Sequence, residues 1–205
     1  MTAVFIWSQD GDFVSKSFTR MKRDEISEKL KEGAMIYAAE VGMKKTSVDS
    51  LVAYAGISKG AFYNFFESKD ELFLELVEDW HTEIYGTALE TLMEENDKTF
   101  KAKAARAILQ ACVTMCKYSV LKFYRECLPQ LLENIKGTEL MERYHSDDVH
   151  IAEVIRFSGI KLLVTEEEAV SLVKNIAFTI LNADMKGYWY AQKILINSVC
   201  DYVVK

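Results

Sequence analysis

Apolar side chains recur along much of this chain every three or four residues, which is the spacing of one face of an α-helix. The longest such stripe follows Ser68, a typical helix cap with Asp70 and Glu71 behind it. We therefore predict a long amphipathic helix that begins at Ser68. The apolar positions on its face are Leu72, Phe73, Leu76, Val77, Trp80, Ile84, Ala88, Leu89 and Leu92.

Glycines and capping residues divide the rest of the pattern into further helices. Thr165 stands before three glutamates, which is a strong start signal, and Pro129 is expected to interrupt or kink its helix. The first helix should carry Ile26, Leu30, Ala34, Tyr37 or Ala38, and Val41 on one stripe. One short helix should run from a cap at Thr46 or Ser47 to Gly56. The other predicted helices besides the one at Ser68 cover about 24–41, 59–66, 100–118, 120–135, 139–157, 166–185 and 188–204.

The segment 46–70 is predicted to form two short helices joined by a tight turn. Thr46 or Ser47 caps the first helix, with Asp49 able to reach back to a free amide, and Gly56 ends it. Ser58 caps the second. In that helix three rings, Phe62, Phe65 and Phe66, fall on one face, and Lys59, Gly60, Ala61, Tyr63 and Asn64 fall on the other.

The second face suits a DNA groove. Small side chains allow close approach to base edges, and the lysine, the tyrosine and the Ser58 hydroxyl can reach phosphates. These residues could equally be ordinary surface side chains. The candidate DNA-binding residues are Lys45, Thr46, Ser47, Ser58, Lys59, Gly60, Ala61, Tyr63, Asn64 and Lys69.

Residues of about 24–75 resemble the DNA-binding segment of TetR-type transcriptional repressors across three consecutive helices. The matching residues are Thr46-Ser47-Val48, Ala55-Gly56-Ile57-Ser58-Lys59-Gly60, Phe62-Tyr63, Phe66 and Ser68-Lys69-Asp70-Glu71-Leu72. Val52, Phe62, Phe65 and Glu67 depart from the usual residues of the family. Phe65 and Glu67 should weaken backbone contacts near the end of the recognition helix.

The resemblance implies an all-α fold in which a helix-turn-helix domain precedes a larger helical bundle for ligand binding and dimerisation. It also implies a homodimer that binds double-stranded DNA at a palindromic operator, with the dimer built through the last two helices. We expect a DNA-binding domain at 21–70 and a regulatory domain at 71–205. Residues 1–20 are either an extension before a true initiator at Met21, or a mobile basic arm formed with Lys16, Arg20, Lys22 and Arg23.

The resemblance further implies a small-molecule effector, apolar or aromatic, in the second domain. Rings and methionines there are candidates to enclose it, although such residues are more often plain core. The candidates are Trp80, Tyr85, Met115, Tyr118, Phe123, Tyr124, Phe157, Phe178 and Trp189.

Composition agrees with a helical chain, because 205 residues contain one proline and nine glycines, too little turn material for an all-β fold. The net charge of −6 lies outside the predicted DNA-binding segment: residues 21–70 hold eight basic and eight acidic side chains, and residues from 71 onward hold 15 and 21. Composition alone therefore does not favour nucleic-acid binding. We predict neither a membrane span nor a secretory signal, and expect a cytoplasmic protein.

No cofactor, metal ion or catalysis is predicted. Cys112, Cys116, Cys127 and Cys200 lie in apolar runs and are interpreted as reduced core residues. The group His145, Asp147, Asp148 and His150 is interpreted as a solvated helix end, because residues five apart lie on different faces of a helix. Two other functions stay open: a ligand-binding or protein-interaction dimer without sequence-specific DNA binding, and a helical-bundle enzyme.

Overall fold

The computed structural model describes residues 11–94, 99–116, 120–182 and 186–205, with side chains described from residue 22 and left out at 181–182. Within these residues the regular structure is helical, and one isolated bridge joins Leu162 to Val204. The all-α prediction is confirmed. The α-helices are α1 Gly11–Val41, α2 Val48–Ala55, α3 Lys59–Phe62, α4 Lys69–Met93, α5 Phe100–Met115, α6 Val120–Glu126, α7 Leu128–Ile135, α8 Glu139–Arg143, α9 Asp147–Ser158, α10 Glu166–Phe178 and α11 Tyr188–Val203, with a 3₁₀ turn at Thr179–Asn182.

The chain divides into two compact units, one up to Leu72 and one from Phe73 onward. The core of the first unit is the buried face of α1, formed by Leu30, Ala34 and Ala38, together with apolar side chains of α2 and α3. Phe62 and Phe66 lie beneath α3 with their ring centroids 5.9 Å apart. The other buried members are Met43, Leu51, Val52 and Ala55.

Capping explains where the two short helices begin. The hydroxyl of Ser47 accepts the amide of Ser50, while the Ser50 hydroxyl accepts the amide of Ser47. Asp49, expected to reach back in this way, instead pairs with Lys59. Gly56 ends α2 in the left-handed conformation that glycine favours, with φ of 69°.

Several predicted boundaries were wrong. α1 begins at Gly11 and not near residue 24, so residues 11–20 form part of a helix and not a mobile arm. The recognition helix α3 ends at Phe62 and not at residue 66, because Asn64 and Phe65 donate to the carbonyls of residues three earlier. Val41, placed on the buried stripe of α1, is 48% exposed.

The second unit is built on α4, α5, α10 and α11, whose apolar faces meet in one core. Thr165 and Glu168 form the capping box that starts α10, as the glutamate run indicated. Pro129 lies in the first turn of α7, so the predicted interruption of 120–135 is confirmed as a break into α6 and α7. The predicted helix 139–157 is wrong as one element, because residues 144–146 separate α8 from α9.

The predicted helix ends near 118 and 185 cannot be compared with the structure, since 117–119 and 183–185 lie outside the described residues. Within the described residues, α5 ends at Met115 and α10 passes into the 3₁₀ turn after Phe178. Among the helices described, none carries an apolar stretch long enough to cross a bilayer.

Candidate nucleic-acid interface and effector cavity

α3 is held in place at its start and along one face. Its start is capped by Ser58, whose hydroxyl accepts the amide of Ala61 at 3.1 Å. Its underside is held by Phe62 and Phe66, both almost fully buried. The opposite side is therefore presented to solvent, and we call Lys59, Gly60, Tyr63 and Asn64 the reading surface.

All four residues of the reading surface are exposed, and Tyr63 is 54% exposed. A Cβ added at Gly60 would meet no atom within 4 Å. The lack of a side chain at Gly60 is therefore not required by packing, and it leaves room for an approaching partner. Ser58 is exposed and Ala61 is half-buried beside them. The predicted outward face of α3 is thus a continuous surface.

Lys59, the cation of α3, is held by a carboxylate of α2. Its Nζ lies 3.0 Å and 3.1 Å from the two carboxylate oxygens of Asp49, and both side chains are largely exposed. An exposed ion pair contributes little to the free energy of unfolding, up to about 1 kcal/mol. A DNA phosphate can therefore replace Asp49 as the partner of Lys59 at low cost.

Two predicted DNA contacts have structural roles instead. Thr46 is buried, and its hydroxyl donates to the Gly42 carbonyl at 3.0 Å, so its side chain cannot reach a phosphate. Lys69 Nζ donates to the carbonyls of Met43 and Thr46 at 2.9 and 2.8 Å. Lys69 therefore stabilises the turn between α1 and α2. Lys45 and Ser47, also predicted, are exposed on that turn.

Arg23 of α1 reaches the far end of α3, a role that the sequence did not indicate. Its guanidinium donates to the Asn64 carbonyl at 2.9 Å and lies 5.4 Å from the centroid of the Phe65 ring. The sequence predicts for Arg23 only a place in a basic arm. Its position fixes the segment after α3 from the side of α1, and the basic pattern of 20–23 was the only sequence signal for it.

The second unit contains an apolar cavity of about 100 Å³ between α4, α5, α9, α10 and α11. Of the predicted ligand residues, Tyr85 and Met115 line it. Apart from Cys200, the rest of its wall is aliphatic. The aliphatic and small residues are Ile84, Ala88, Leu92, Ala104, Ala107, Ile108, Ala111, Ile151, Val154, Ile155, Ile160, Leu162, Val173, Ala177, Val199, Cys200, Val203 and Val204.

The other predicted ligand residues do not line this cavity. Trp80, Phe123 and Tyr124 pack on one another, with the Trp80 and Phe123 ring centroids 5.1 Å apart. Phe157 is 73% exposed, Phe178 is half-buried outside the wall, and Trp189 is exposed. Tyr118 lies outside the described residues. Aromatic type was a poor guide because most of the wall is formed by alanine and branched aliphatic side chains.

The cysteines are free thiols. Cys112, Cys127 and Cys200 are buried and Cys116 is half-buried, and burial raises the pKa of Cys112 to about 11 and that of Cys200 to about 12. High thiol pKa values suit inert core residues.

The acidic and histidine group of 145–150 is not a simple solvated end. Asp148 is exposed and pairs with Lys174 at 2.9 Å. Asp147, however, is mostly buried and accepts the Tyr85 hydroxyl, while His145 and His150 have ring centroids 6.0 Å apart. The expectation that residues 145 and 150 diverge was wrong, because residue 145 precedes α9 and is not on the helix.

Residues 31–76 match the family model of bacterial regulatory proteins of the tetR family. This part of the chain belongs to the tetR family of bacterial regulatory proteins. The match runs from the second half of α1 through α2 and α3 into the first turns of α4. It therefore contains the whole reading surface.

A curated relative, the HTH-type transcriptional repressor KstR2 of Rhodococcus jostii (strain RHA1), is 27% identical to this chain over 110 residues. The alignment covers 51% of this chain and 50% of KstR2, so the chain spans about half the length of the curated relative it matches.

Solved structures share the fold over most of the chain. A TetR family protein from Vibrio parahaemolyticus has a TM-score of 0.57 at 18% identity, covering 90% of this chain and 99% of its own. FadR from Bacillus subtilis, in complex with stearoyl-CoA, has a TM-score of 0.57 at 20% identity, covering 85% and 95%. The SmeT–triclosan complex has a TM-score of 0.58 at 15% identity, covering 88% and 92%. At these identities the structures show a common fold and no more.

Proposed function

We propose that this chain is a transcriptional regulator that represses its target by binding a palindromic DNA operator as a homodimer. The observation that carries the proposal is the outward orientation of Lys59, Gly60, Tyr63 and Asn64 on a helix fixed by Ser58 and by buried rings. A helix held in this way can enter the major groove as a rigid body, with Lys59 and Tyr63 at the backbone and the small residues near base edges.

The turn before α2 supplies a second set of contacts to the DNA phosphate backbone. Lys44, Lys45 and Ser47 are exposed there, and Lys69 stabilises the turn from within. Phosphate contacts of this kind position a protein without specifying sequence. Lys45 and Ser47 therefore act as anchors beside the reading surface in this proposal.

The effector is proposed to be an apolar small molecule bound in the aliphatic cavity of the second unit. Support comes from the nature of the wall, and from two proteins of the same fold that are described with stearoyl-CoA and with triclosan. The cavity is about 100 Å³, whereas ligand pockets usually measure about 300–1,000 Å³. An effector must therefore enlarge the cavity, and it binds preferentially to the enlarged arrangement and shifts the population toward it.

The dimer is proposed to form through the last two helices, mainly through α11. Large apolar side chains on α11 are exposed, while the exposed positions of α10 are polar. A concentration of exposed apolar side chains on one helix is typical of a protein–protein contact. The exposed apolar side chains of α11 are Trp189, Tyr190, Ile194, Leu195 and Tyr202.

DNA binding is tested with the purified protein and the DNA upstream of its own gene, by footprinting and by titration at several salt concentrations. Lys59→Ala should weaken binding about tenfold or more and lower the salt slope by about one. Tyr63→Ala should weaken binding at unchanged dimer content. Lys136→Ala, which removes an exposed lysine of the second unit, is the charge-matched control and should leave binding unchanged.

Unchanged binding in both Lys59→Ala and Tyr63→Ala would exclude the reading surface as the DNA contact. A second candidate function, a ligand-binding or interaction dimer without sequence-specific DNA binding, is favoured by the Lys59–Asp49 pair and by the balanced charge of residues 21–70. Under that alternative, footprinting would show no protected palindromic DNA sequence, and the chain would still bind an apolar ligand.

Effector binding is tested with stearoyl-CoA and triclosan as probes. Ala107→Leu fills the cavity from α5 and should weaken binding of a cavity ligand about tenfold or more, because overpacking leaves no room for it. Ala102→Leu adds the same group at an exposed position of α5 and is the matched control. Equal affinities in the two variants would place the effector elsewhere.

A further inference from the structure

All three histidines of the chain come together in the second unit, with a glutamate and an aspartate beside them. The His81 and His150 ring centroids are 4.6 Å apart, and those of His145 and His150 are 6.0 Å apart. We call Glu78, His81, His145, Asp147 and His150 the histidine cluster. It is separate from the reading surface and is not used by the proposed DNA binding.

Helical spacing explains how two elements can build the cluster. Glu78 and His81 are three residues apart on α4, and Asp147 and His150 are three residues apart on α9. Side chains at this spacing project from the same face of a helix. Each helix therefore offers one carboxylate and one imidazole, and the two pairs face each other.

His81 is fully buried, and neither of its ring nitrogens has a hydrogen-bond partner among the described residues. Nε2 of His150 is likewise buried without a partner. The nearest carboxylate oxygens stand just beyond hydrogen-bond range: Glu78 Oε1 is 3.9 Å from His81 Nδ1, and Asp147 Oδ1 is 3.7 Å from His81 Nε2. Buried polar atoms usually have partners, so this arrangement calls for one.

We propose that Glu78, His81 and His150 bind a divalent transition-metal ion, for which Zn²⁺ is the best fit. Their ligand atoms all lie within 4.8 Å of one another. Bonds of about 2.0–2.1 Å in a tetrahedral site place ligand atoms about 3.3 Å apart, so the separations between the ligand atoms must shorten by up to about 1.5 Å. Two imidazoles and one carboxylate are typical zinc ligands, whereas Mg²⁺ and Ca²⁺ prefer all-oxygen sites.

The remaining members of the cluster complete the site. Asp147 faces the second nitrogen of His81, the place of the carboxylate that commonly orients a metal-bound histidine. The Tyr85 hydroxyl donates to Asp147 and fixes its position. His145 Nδ1 lies 3.8 Å from Glu78 Oε2 at the exposed rim, where His145 or a water molecule can take the fourth position.

The proposal is tested on the full chain, freed of metal by a chelator and titrated with Co²⁺ alone and then Zn²⁺ alone. We expect one ion per chain, with the visible spectrum of four-coordinate Co²⁺. Paramagnetically shifted NMR signals of histidine imidazoles should appear with Co²⁺ and disappear when Zn²⁺ displaces it.

His150→Gln and Glu78→Gln should each weaken binding of the ion at least tenfold. Asp148→Asn, next to Asp147 on α9 but exposed and paired with Lys174, is the matched control and should bind the ion as the unaltered chain does. Circular dichroism checks that each variant is folded. If a variant does not fold, the cobalt and zinc titrations of the unaltered chain still test whether the site binds an ion.

Three results would overturn the proposal. The first is failure of the unaltered chain to bind one ion per chain. The second is unchanged affinity in folded His150→Gln. The third is a thiolate-to-cobalt charge-transfer band, which would place the ion at a cysteine. Loss of DNA binding would produce none of these results, so this proposal and the proposed function fail independently.

Discussion

Single side chains of the first unit show where local sequence was a sufficient guide and where it was not. Ser58 and Tyr63 lie where a cap and an outward position were expected, because both follow from the spacing within one short helix. Thr46 and Lys69 were expected on the DNA and lie instead on the backbone of the turn after α1. Lys69 reaches carbonyls 23 and 26 residues away, and no local pattern contains such a contact.

Lys69→Ala should lower the free energy of unfolding of the first unit by about 2 kcal/mol, because hydrogen bonds to charged groups contribute about 1.5–3 kcal/mol. The carbonyls of Met43 and Thr46 would lose a donor. The measurement is calorimetric unfolding of the full chain, with Lys44→Ala as an exposed control on the same turn. If Lys69 instead contacts phosphate, the variant will unfold as before and lose salt-dependent DNA affinity.

Whole elements were predictable where their starts are capped and uncertain where their ends depend on packing. Ser47, Ser58 and Thr165 mark helix starts that the structure confirms. The early end of α3 carries no strong sequence signal, because it follows from the turn hydrogen bonds of Asn64 and Phe65. The break at 144–146 carries no strong signal either. In the histidine cluster, the sequence singles out His145, Asp147 and His150 but not Glu78 and His81, because those two lie far from residues 145–150 along the chain.

Packing of α1 on α2 depends on a close approach at Gly33. A Cβ at this position would lie 2.9 Å from Cδ1 of Tyr54. Alanine is favoured over glycine by about 1 kcal/mol within a helix, but overpacking costs about 1–3 kcal/mol. Gly33→Ala should therefore destabilise the first unit by about 1 kcal/mol.

In a Tyr54→Ala background the sign should reverse, and Gly33→Ala should stabilise by about 0.5–1 kcal/mol because only the helix preference remains. Thermal unfolding of the four proteins in this cycle measures both effects. A stabilising effect in both backgrounds would mean that the Tyr54 ring moves aside freely.

At the scale of the whole molecule, the two compact units divide the proposed function between DNA contact and effector control. The family match covers residues 31–76, from the second half of α1 to the start of α4, while the second unit is related to known structures through its fold. The helical class was predictable from the chain, but the cavity wall was not, because residues from five helices form it.

Leu195→Glu and Ile194→Glu should convert the proposed dimer to monomers, because each places a charge among the exposed apolar side chains of α11. Sedimentation measures the oligomeric state, and operator titration should show at least tenfold weaker binding from the loss of paired half-sites. Lys193→Gln changes a neighbouring exposed side chain outside that apolar group and is the control. A dimer that persists in both glutamate variants would place the interface elsewhere.

The aliphatic wall of the cavity also implies that the affinity for the proposed effector would depend on the length of its apolar chain. Along a homologous series of n-alkyl compounds, each added methylene should strengthen binding by about 0.8 kcal/mol for as long as it enters the void. The increment must cease at some carbon number, and calorimetric titration of the series would locate it. That carbon number would show how far α4, α5, α9, α10 and α11 can move apart before their packing opposes further separation.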